Sequence, residues 1–498
     1  MNTSTKLILL TLFFIIVWFF YKRFWRLLVF SSQLDGPLAY PLLGNTLRCF
    51  CKKEEVLNVT VSSIEPYRSP TRVWIGPRLL VVVKDPHQLK IILQSSKIAK
   101  KSFFYKFFKP FLGRGLFTAF GPTHKLHKKL IQPLFSSKMI EGYCYLFQKH
   151  ADVFVERLRQ HAGGPPFDII FYLRGTVFES TIDLLMADAN VHSVYYKDIP
   201  KYLLRIFDIV VTRIQQIWLH WDYIYEKTSN FKEQTRIRNI MTTWIAEIMN
   251  SKVPETVERL NNDTTPSRAL RIPSIVEMLV EMVPKKENCL SVQDCTDQLI
   301  TLMATSHDTQ SSAVAFTCMM LGANPDIQNL VVKELREVLG EKKTLDMSDV
   351  SKLKYLEMCI KETLRLYPVA PFAFRDTGED FQLDKMTIPK HVTVVLAFYM
   401  VHRDPRYWER PNEFYPEHFS PEATRKRHPF AFLPFSAGAR KCIAQQYSYT
   451  LMKILLGTIL LNFELESDRK VEDIMLTTDV SIRPIDGYSI KIKNRIFC

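Results

Sequence analysis

Near the end of the chain, Phe435-Ser436-Ala437-Gly438-Ala439-Arg440-Lys441-Cys442-Ile443-Ala444 sets a cysteine at a fixed distance behind a phenylalanine, a glycine and an arginine, and a long apolar helical stretch follows. The thiolate form of cysteine is both a nucleophile and a metal ligand. To act as a ligand, the Cys442 sulfur must be held still and kept out of bulk water. The neighbouring residue types suit that task. Gly438 lets the backbone turn tightly and approach a bound group closely. Arg440 presents a fork of donors for a carboxylate. Backbone N–H groups around the sulfur can hydrogen-bond it, and Phe435 can cover one side. The plain alternative is an ordinary buried thiol. Against it, Phe, Gly, Arg and Cys at this spacing arise by chance on the order of once in a thousand chains of this length and average composition.

A second constellation stands about 130 residues upstream, in Thr305-Ser306-His307-Asp308-Thr309. A carboxylate beside a hydroxyl can relay protons through water. The alternative is a helical threonine bonded back to its own turn, with Asp308 in an unrelated ion pair. Further on, Glu362 and Arg365 form an i, i+3 pair, a kind that is weak when exposed.

The elements that must position these residues are mostly helical. Ser291 to Leu321 contains no Pro or Gly; Ser291 and Asp294 form a capping box, and Gly322 with Asn324-Pro325 stops the helix. A helix of that length, roughly 45 Å, must run through the core. Another helix is predicted near Pro325 and one more over residues 351–366. Arg72-Val73-Trp74-Ile75-Gly76 and Leu79-Leu80-Val81-Val82-Val83 read as a hairpin. The chain is therefore expected to be mainly α with a small β portion.

The Cys442 loop resembles the haem-thiolate loop of the cytochrome P-450 family, and the resemblance extends over nearly the whole chain. It is closest to the family-four branch, insect-like, through Tyr105 to Phe117 (YKFFKPFLGRGLF), His307-Asp308-Thr309, Tyr367 to Arg375 (YPVAPFAFR), His402-Arg-Asp-Pro405 and Phe432-Leu-Pro-Phe435. The resemblance implies a monooxygenase of the P-450 fold with haem b, held noncovalently, and Cys442 as the axial thiolate, a ligand that donates electron density to the iron. It implies proton relay by Asp308 and Thr309, and propionate contacts from Arg440, Arg375, Lys128 and His124, with Phe435 and Gly438 against the haem. Glu362 and Arg365 become a buried structural clamp joined by His418, where the family's usual residue is Arg. Electrons would come from NADPH-cytochrome P-450 reductase, docked on a basic face that includes Lys128, Lys129 and Lys441, with cytochrome b5 as a second donor.

The sequence also departs from that pattern. Thr305 stands where many branch members carry a Glu that forms an ester with the haem, hence the expectation of noncovalent haem. Ser306 replaces a groove-opening Gly, Gln310 a small hydroxyl residue, Ala444 a Gly, His124 a Trp and Lys128 an Arg. Two other readings follow from this: a reductase-independent isomerase of the same fold, and a non-catalytic haem or lipid binder.

Composition bounds the setting. The 498 residues are 47% hydrophobic with a net charge of +15, which suits an anionic membrane surface or an acidic partner. The basic residues are dispersed and no zinc-finger spacing occurs, so no nucleic-acid partner is expected. Nine cysteines, an odd number without a C-x-x-C pair, fit a reducing compartment. Leu7 to Tyr21 is an uncharged apolar run followed by Lys22, Arg23 and Arg26, with Leu27 to Phe30 able to extend it. It reads as an uncleaved signal anchor in the endoplasmic reticulum membrane, a single span with the following domain cytosolic. The expected division is an anchor at 1–30, a proline-rich hinge at 31–48 and the catalytic domain at 49–498. The substrate is expected to be apolar because six phenylalanines, 103, 104, 107, 108, 111 and 117, crowd one segment; the branch resemblance implies a fatty acid, hydrocarbon, other lipid or xenobiotic.

Overall fold

The computed structural model describes residues 18–496 apart from 19–21, 23, 41–42, 50, 187–196, 263–273 and 283–289. The apolar run at 7–21 lies, except for Trp18, outside the described residues. Among the described residues no helix is long and apolar enough to cross a membrane.

The centre of the molecule is the predicted long helix, which spans Val292–Ala323. Ser291 Oγ accepts from the Asp294 N–H, and the Asp294 carboxylate accepts from the Ser291 N–H, closing the capping box. Most of its residues from Cys295 to Gly322 are buried. It packs against the helices Ile170–Met186 and Lys354–Leu366 and against the strand Phe463–Glu466. Gly322 lets that strand approach closely, because a Cβ would stand 3.0 Å from the backbone at Glu466 and Ser467 and force it to give by a few tenths of an ångström. Pro325 then opens the helix Pro325–Leu339, where its missing N–H costs nothing. The expected helix over 351–366 is two, Met347–Lys352 and Lys354–Leu366.

The helix after Cys442, Gln445–Asn462, packs on Ser137–Leu158. The predicted hairpin is present as Thr71–Ile75 and Arg78–Val83. It belongs to a four-stranded sheet in which Arg78–Val83 runs parallel to Thr393–Leu396, and that strand pairs antiparallel with Ala373–Asp376. A three-stranded sheet joins Phe167–Asp168, Ser489–Asn494 and Phe463–Glu466. The proline-rich segment after the N-terminal helix is tied to the sheet edge: Asn45 N–H donates to Trp74 O at 2.6 Å, and Asn45 Oδ1 accepts from Trp74 N–H at 2.9 Å.

Glu362 and Arg365 are both fully buried. Two parallel bonds join them, Nε to Oε2 at 2.8 Å and Nη2 to Oε1 at 2.7 Å. Arg365 also donates to the carbonyls of His402, Pro411 and Glu413. Glu362 accepts from the Tyr415 N–H and lies 3.1 Å from His418 Nδ1. The pair thus pins the 402–418 loops to the helix. Arg427 supplies a second guanidinium nearby, 3.9 Å above the Trp408 ring and bonded to His418 O.

Candidate active site

The Cys442 loop folds around two backbone features. Cys442 N–H donates to Phe435 O at 3.0 Å, closing the turn, and Gly438 takes φ +69. A Cβ at Gly438 would lie 1.7 Å from Leu93 O, so no other residue fits. Phe435 is half-buried and packs on Tyr449 at 5.3 Å. The Cys442 sulfur is accessible from a cavity it shares with Lys128, Phe135, Lys441 and Tyr449. Surrounding protein is nevertheless dense: desolvation is the largest influence and pushes the thiol up, while the Ala444 N–H and the Lys441 charge pull it back toward thiolate.

The expected carboxylate-binding groups converge. Arg375, on Ala373–Asp376, is 4% exposed. Arg440 donates from Nε to Ala99 O at 2.9 Å, leaving Nη1 buried without a partner. His124 and Lys128 share the helix Gly121–Ile131; His124 is buried, and Lys128 Nζ donates to Ala439 O at 3.0 Å. Lys101, absent from the sequence expectations, joins them by an antiparallel bridge to Arg375, its ammonium over the rings of Tyr105 and Phe117. These cations repel one another. Burial, then Arg440, Lys101 and Lys128, lowers His124 to about 3. Burial followed by Arg375 lowers Arg440 to about 10, and Lys101 falls well below its usual value. Among the described residues no carboxylate pairs with Arg375, Arg440 or Lys101. A cluster of this sign, with an orphaned guanidinium nitrogen two residues from Cys442, fits the two propionates of haem.

Asp308 is 2% exposed. Arg174 Nη2 and Arg483 Nη2 each lie 3.1 Å from it, on different oxygens, and Ser481 Oγ donates to it. Burial, the largest single influence, would raise its pKa, but Arg483, Arg174 and the Ser481 hydrogen bond together with His307 hold the carboxyl below the ordinary range. The sequence offered no signal for these partners, which come from other elements. The Thr309 side chain is exposed despite its central helix, and its hydroxyl donates to Thr305 O at 2.7 Å. That is the back-bonded geometry considered as the alternative for this residue. Ser306 Oγ pairs with Thr181 Oγ1 at 3.0 Å and accepts from Gln310 Nε2 at 3.1 Å, so these two departures form one half-buried bridge.

The aromatic segment is fixed to the long helix by backbone bonds: Arg114 N–H to Asp297 and Leu116 N–H to Gln298. Gly113 and Gly115 permit that approach, since a Cβ on Gly115 would meet Thr301 Oγ1 at 1.9 Å. Phe104, Phe108 and Phe117 line an apolar cavity of ≈ 260 Å³ together with Val82, Phe374 and Val480. Phe104 and Phe108 are at the same time core residues, together with Phe107 and Phe111, which do not line the cavity.

Fold, cysteine loop and basic cluster define a haem-thiolate protein, and the family model for cytochrome P450 matches residues 34–492. The chain belongs to the cytochrome P450 family, monooxygenases that hold haem b through a cysteine thiolate. Among its relatives, cytochrome P450 4V2 of Mus musculus is 32% identical over 489 residues, 95% of this chain and 92% of the relative. Cytochrome P450 4c3 of Drosophila melanogaster is 29% identical, covering 95% and 91%. Cytochrome P450 4c21 of Blattella germanica is 26% identical, covering 99% and 100%. These relatives are members of family four, insect proteins among them.

Proposed function

We propose that this chain is a membrane-anchored monooxygenase acting on an apolar substrate, with Cys442 as the haem ligand and Asp308 and Thr309 as the proton-handling pair. The observation that carries the reading is the uncompensated cluster of Arg375, Arg440, Lys101 and neutral His124 beside the Cys442 loop. Arg440 and Arg375 would hold the propionates, with Lys128 and His124 as further candidate contacts. Bound haem supplies dioxygen activation, placing one oxygen atom in the substrate and reducing the other to water. The Phe104, Phe108 and Phe117 rings bind the substrate and exclude water. Asp308 stores a carboxylate against Arg174 and Arg483, and protons pass between it and the Thr309 hydroxyl through water. The anchor at 1–30, hinge at 31–48 and catalytic domain at 49–498 place the site on the cytosolic face of the endoplasmic reticulum.

Reconstitution with an NADPH-dependent reductase in vesicles tests this. Oxygenation of a fatty acid or n-alkane, dependent on NADPH, is expected. NADPH-independent turnover would support an isomerase, and full haem loading without NADPH oxidation would support a binder. Lys128, Lys129, Lys354, Lys361 and Lys441 rim one bowl beside Cys442. Reductase-supported turnover should therefore slow as salt rises, because exposed charges are screened within about 8 Å at physiological ionic strength; salt-independent turnover would remove these lysines from the docking face.

Thr305 offers no carboxylate for an ester; its hydroxyl donates to Thr301 O at 2.8 Å. Acid–acetone treatment is expected to strip all haem from the polypeptide. Haem retained on the denatured chain would refute noncovalent binding.

A further inference from the structure

One hairpin, Leu476–Thr478 paired with Ile482–Pro484, serves two places at once. Its tip, Thr478-Asp479-Val480, lines the apolar cavity. The next residues hold the acid of the long helix through Ser481 and Arg483. Arg483 does not belong to Asp308 alone. Its Nη1 lies 3.1 Å from Asp479 Oδ2, while its Nη2 lies 3.1 Å from Asp308 Oδ2. One guanidinium fork therefore spans a carboxylate on the cavity wall and a carboxylate on the long helix. The two side chains are 3% and 2% exposed, so solvent screens neither contact well. Among the described residues Arg483 Nε is buried without a partner, and the guanidinium's hydrogen bonds and ion pairs run to these two carboxylates. Asp479 Oδ1 separately caps the turn, accepting from the N–H groups of Val480 and Ser481. Arg174 reaches the other oxygen of Asp308 from the helix Ile170–Met186, an element separate from this hairpin.

We propose that Asp479 and Arg483 are positioning residues that couple occupancy of the apolar cavity to the placement of Asp308. A substrate pressing on the Asp479–Val480 tip shifts the guanidinium, and the shared fork passes that shift to the Asp308 carboxylate. The acid is then freed for proton transfer when the cavity is filled, which keeps protons from being spent without substrate. This consequence rests on Asp308 being the proton-handling acid; the coupling itself does not.

Coupling between two sites is reciprocal, so a change at Asp308 must alter cavity affinity. The test is a double-mutant cycle on the haem-loaded full chain in detergent, with 1-octanol affinity read by calorimetry. Asp479→Asn keeps the turn-capping oxygen and removes the charge facing Arg483. Asp308→Asn is expected to change 1-octanol affinity about fivefold or more with Asp479 present, and less than about twofold in the Asp479→Asn background. Equal changes in both backgrounds, or no change in the first, would overturn the proposal. Should Asp308→Asn load haem poorly, Ser481→Ala perturbs the same carboxylate while leaving both ion pairs, and the same comparison decides. The ratio of product to NADPH consumed separates the two readings: an unchanged ratio in Asp308→Asn would remove Asp308 from proton handling and leave the affinity cycle standing.

Discussion

Cys442→Ala is expected to abolish the red-shifted Soret band that marks thiolate ligation in the dithionite-reduced, CO-bound protein. The electrostatics single out this sulfur. Burial raises Cys144 to about 11 and Cys318 to about 12, and Cys359 well above its ordinary value. Those side chains sit in the apolar core as thiols. Cys442 is also raised by desolvation, but it has the Ala444 N–H and the Lys441 charge to stabilise an anion, and it opens onto a cavity. On the proposed reading, loss of the ligand would remove the iron–sulfur bond and leave Arg375 and Arg440 to hold the propionates. Haem binding should therefore weaken strongly, and any haem retained should show the band of a neutral or histidine-ligated form. Persistence of the thiolate band in Cys442→Ala would assign the ligand to another cysteine.

The second large effect is at the buried clamp. Arg365→Leu leaves the Glu362 carboxylate in a site with no solvent access and strands the carbonyls of His402, Pro411 and Glu413. Removing one partner of a buried pair costs about 3–5 kcal/mol, against a total stability of about 5–15 kcal/mol for a typical fold. The variant should express as unfolded or haem-free protein. Glu362→Gln should cost less, because the amide oxygen still accepts from Arg365 and the carbonyl bonds remain. Arg365→Lys should fail nearly as badly as Arg365→Leu, since one ammonium cannot satisfy a bidentate carboxylate and three carbonyls. The yield of folded, haem-loaded protein checks the order, with denaturant unfolding free energies for the variants that fold. Haem-loaded Arg365→Leu with an unfolding free energy within about 1 kcal/mol of wild type would show that the pair contributes little.

His418 illustrates how far local sequence can be read. Its replacement of an arginine is visible in the chain, and its contact with Glu362 follows from the clamp. The sequence does not show that Arg427, nine residues on, brings a guanidinium onto Trp408 beside the same carboxylate. The aromatic segment behaves similarly. Its six phenylalanines pointed to an apolar site, but only contact with the sheet and the hairpin turns Phe104, Phe108 and Phe117 toward the cavity, while Phe103, Phe107 and Phe111 do not line it.

The long helix with its capping box and the hairpin are legible in the chain, because caps, breakers and alternation are short-range chemistry. Arg375, His124 and Lys128 entered as propionate contacts through the family resemblance, and Gly438 proves irreplaceable only where Leu93 O packs against it. Only the tertiary structure decided what surrounds the charges. Lys101 joins the basic cluster through a bridge to a residue 274 positions away, and Asp308 is fastened by Arg174 from 134 positions before it and Arg483 from 175 after it. Unlike the i, i+3 pair of Glu362 and Arg365, a long-range ion pair leaves no periodic trace in the chain, because either partner satisfies local propensity without the other. Burial, and with it the direction of every pKa shift, arises only when distant elements close over the group.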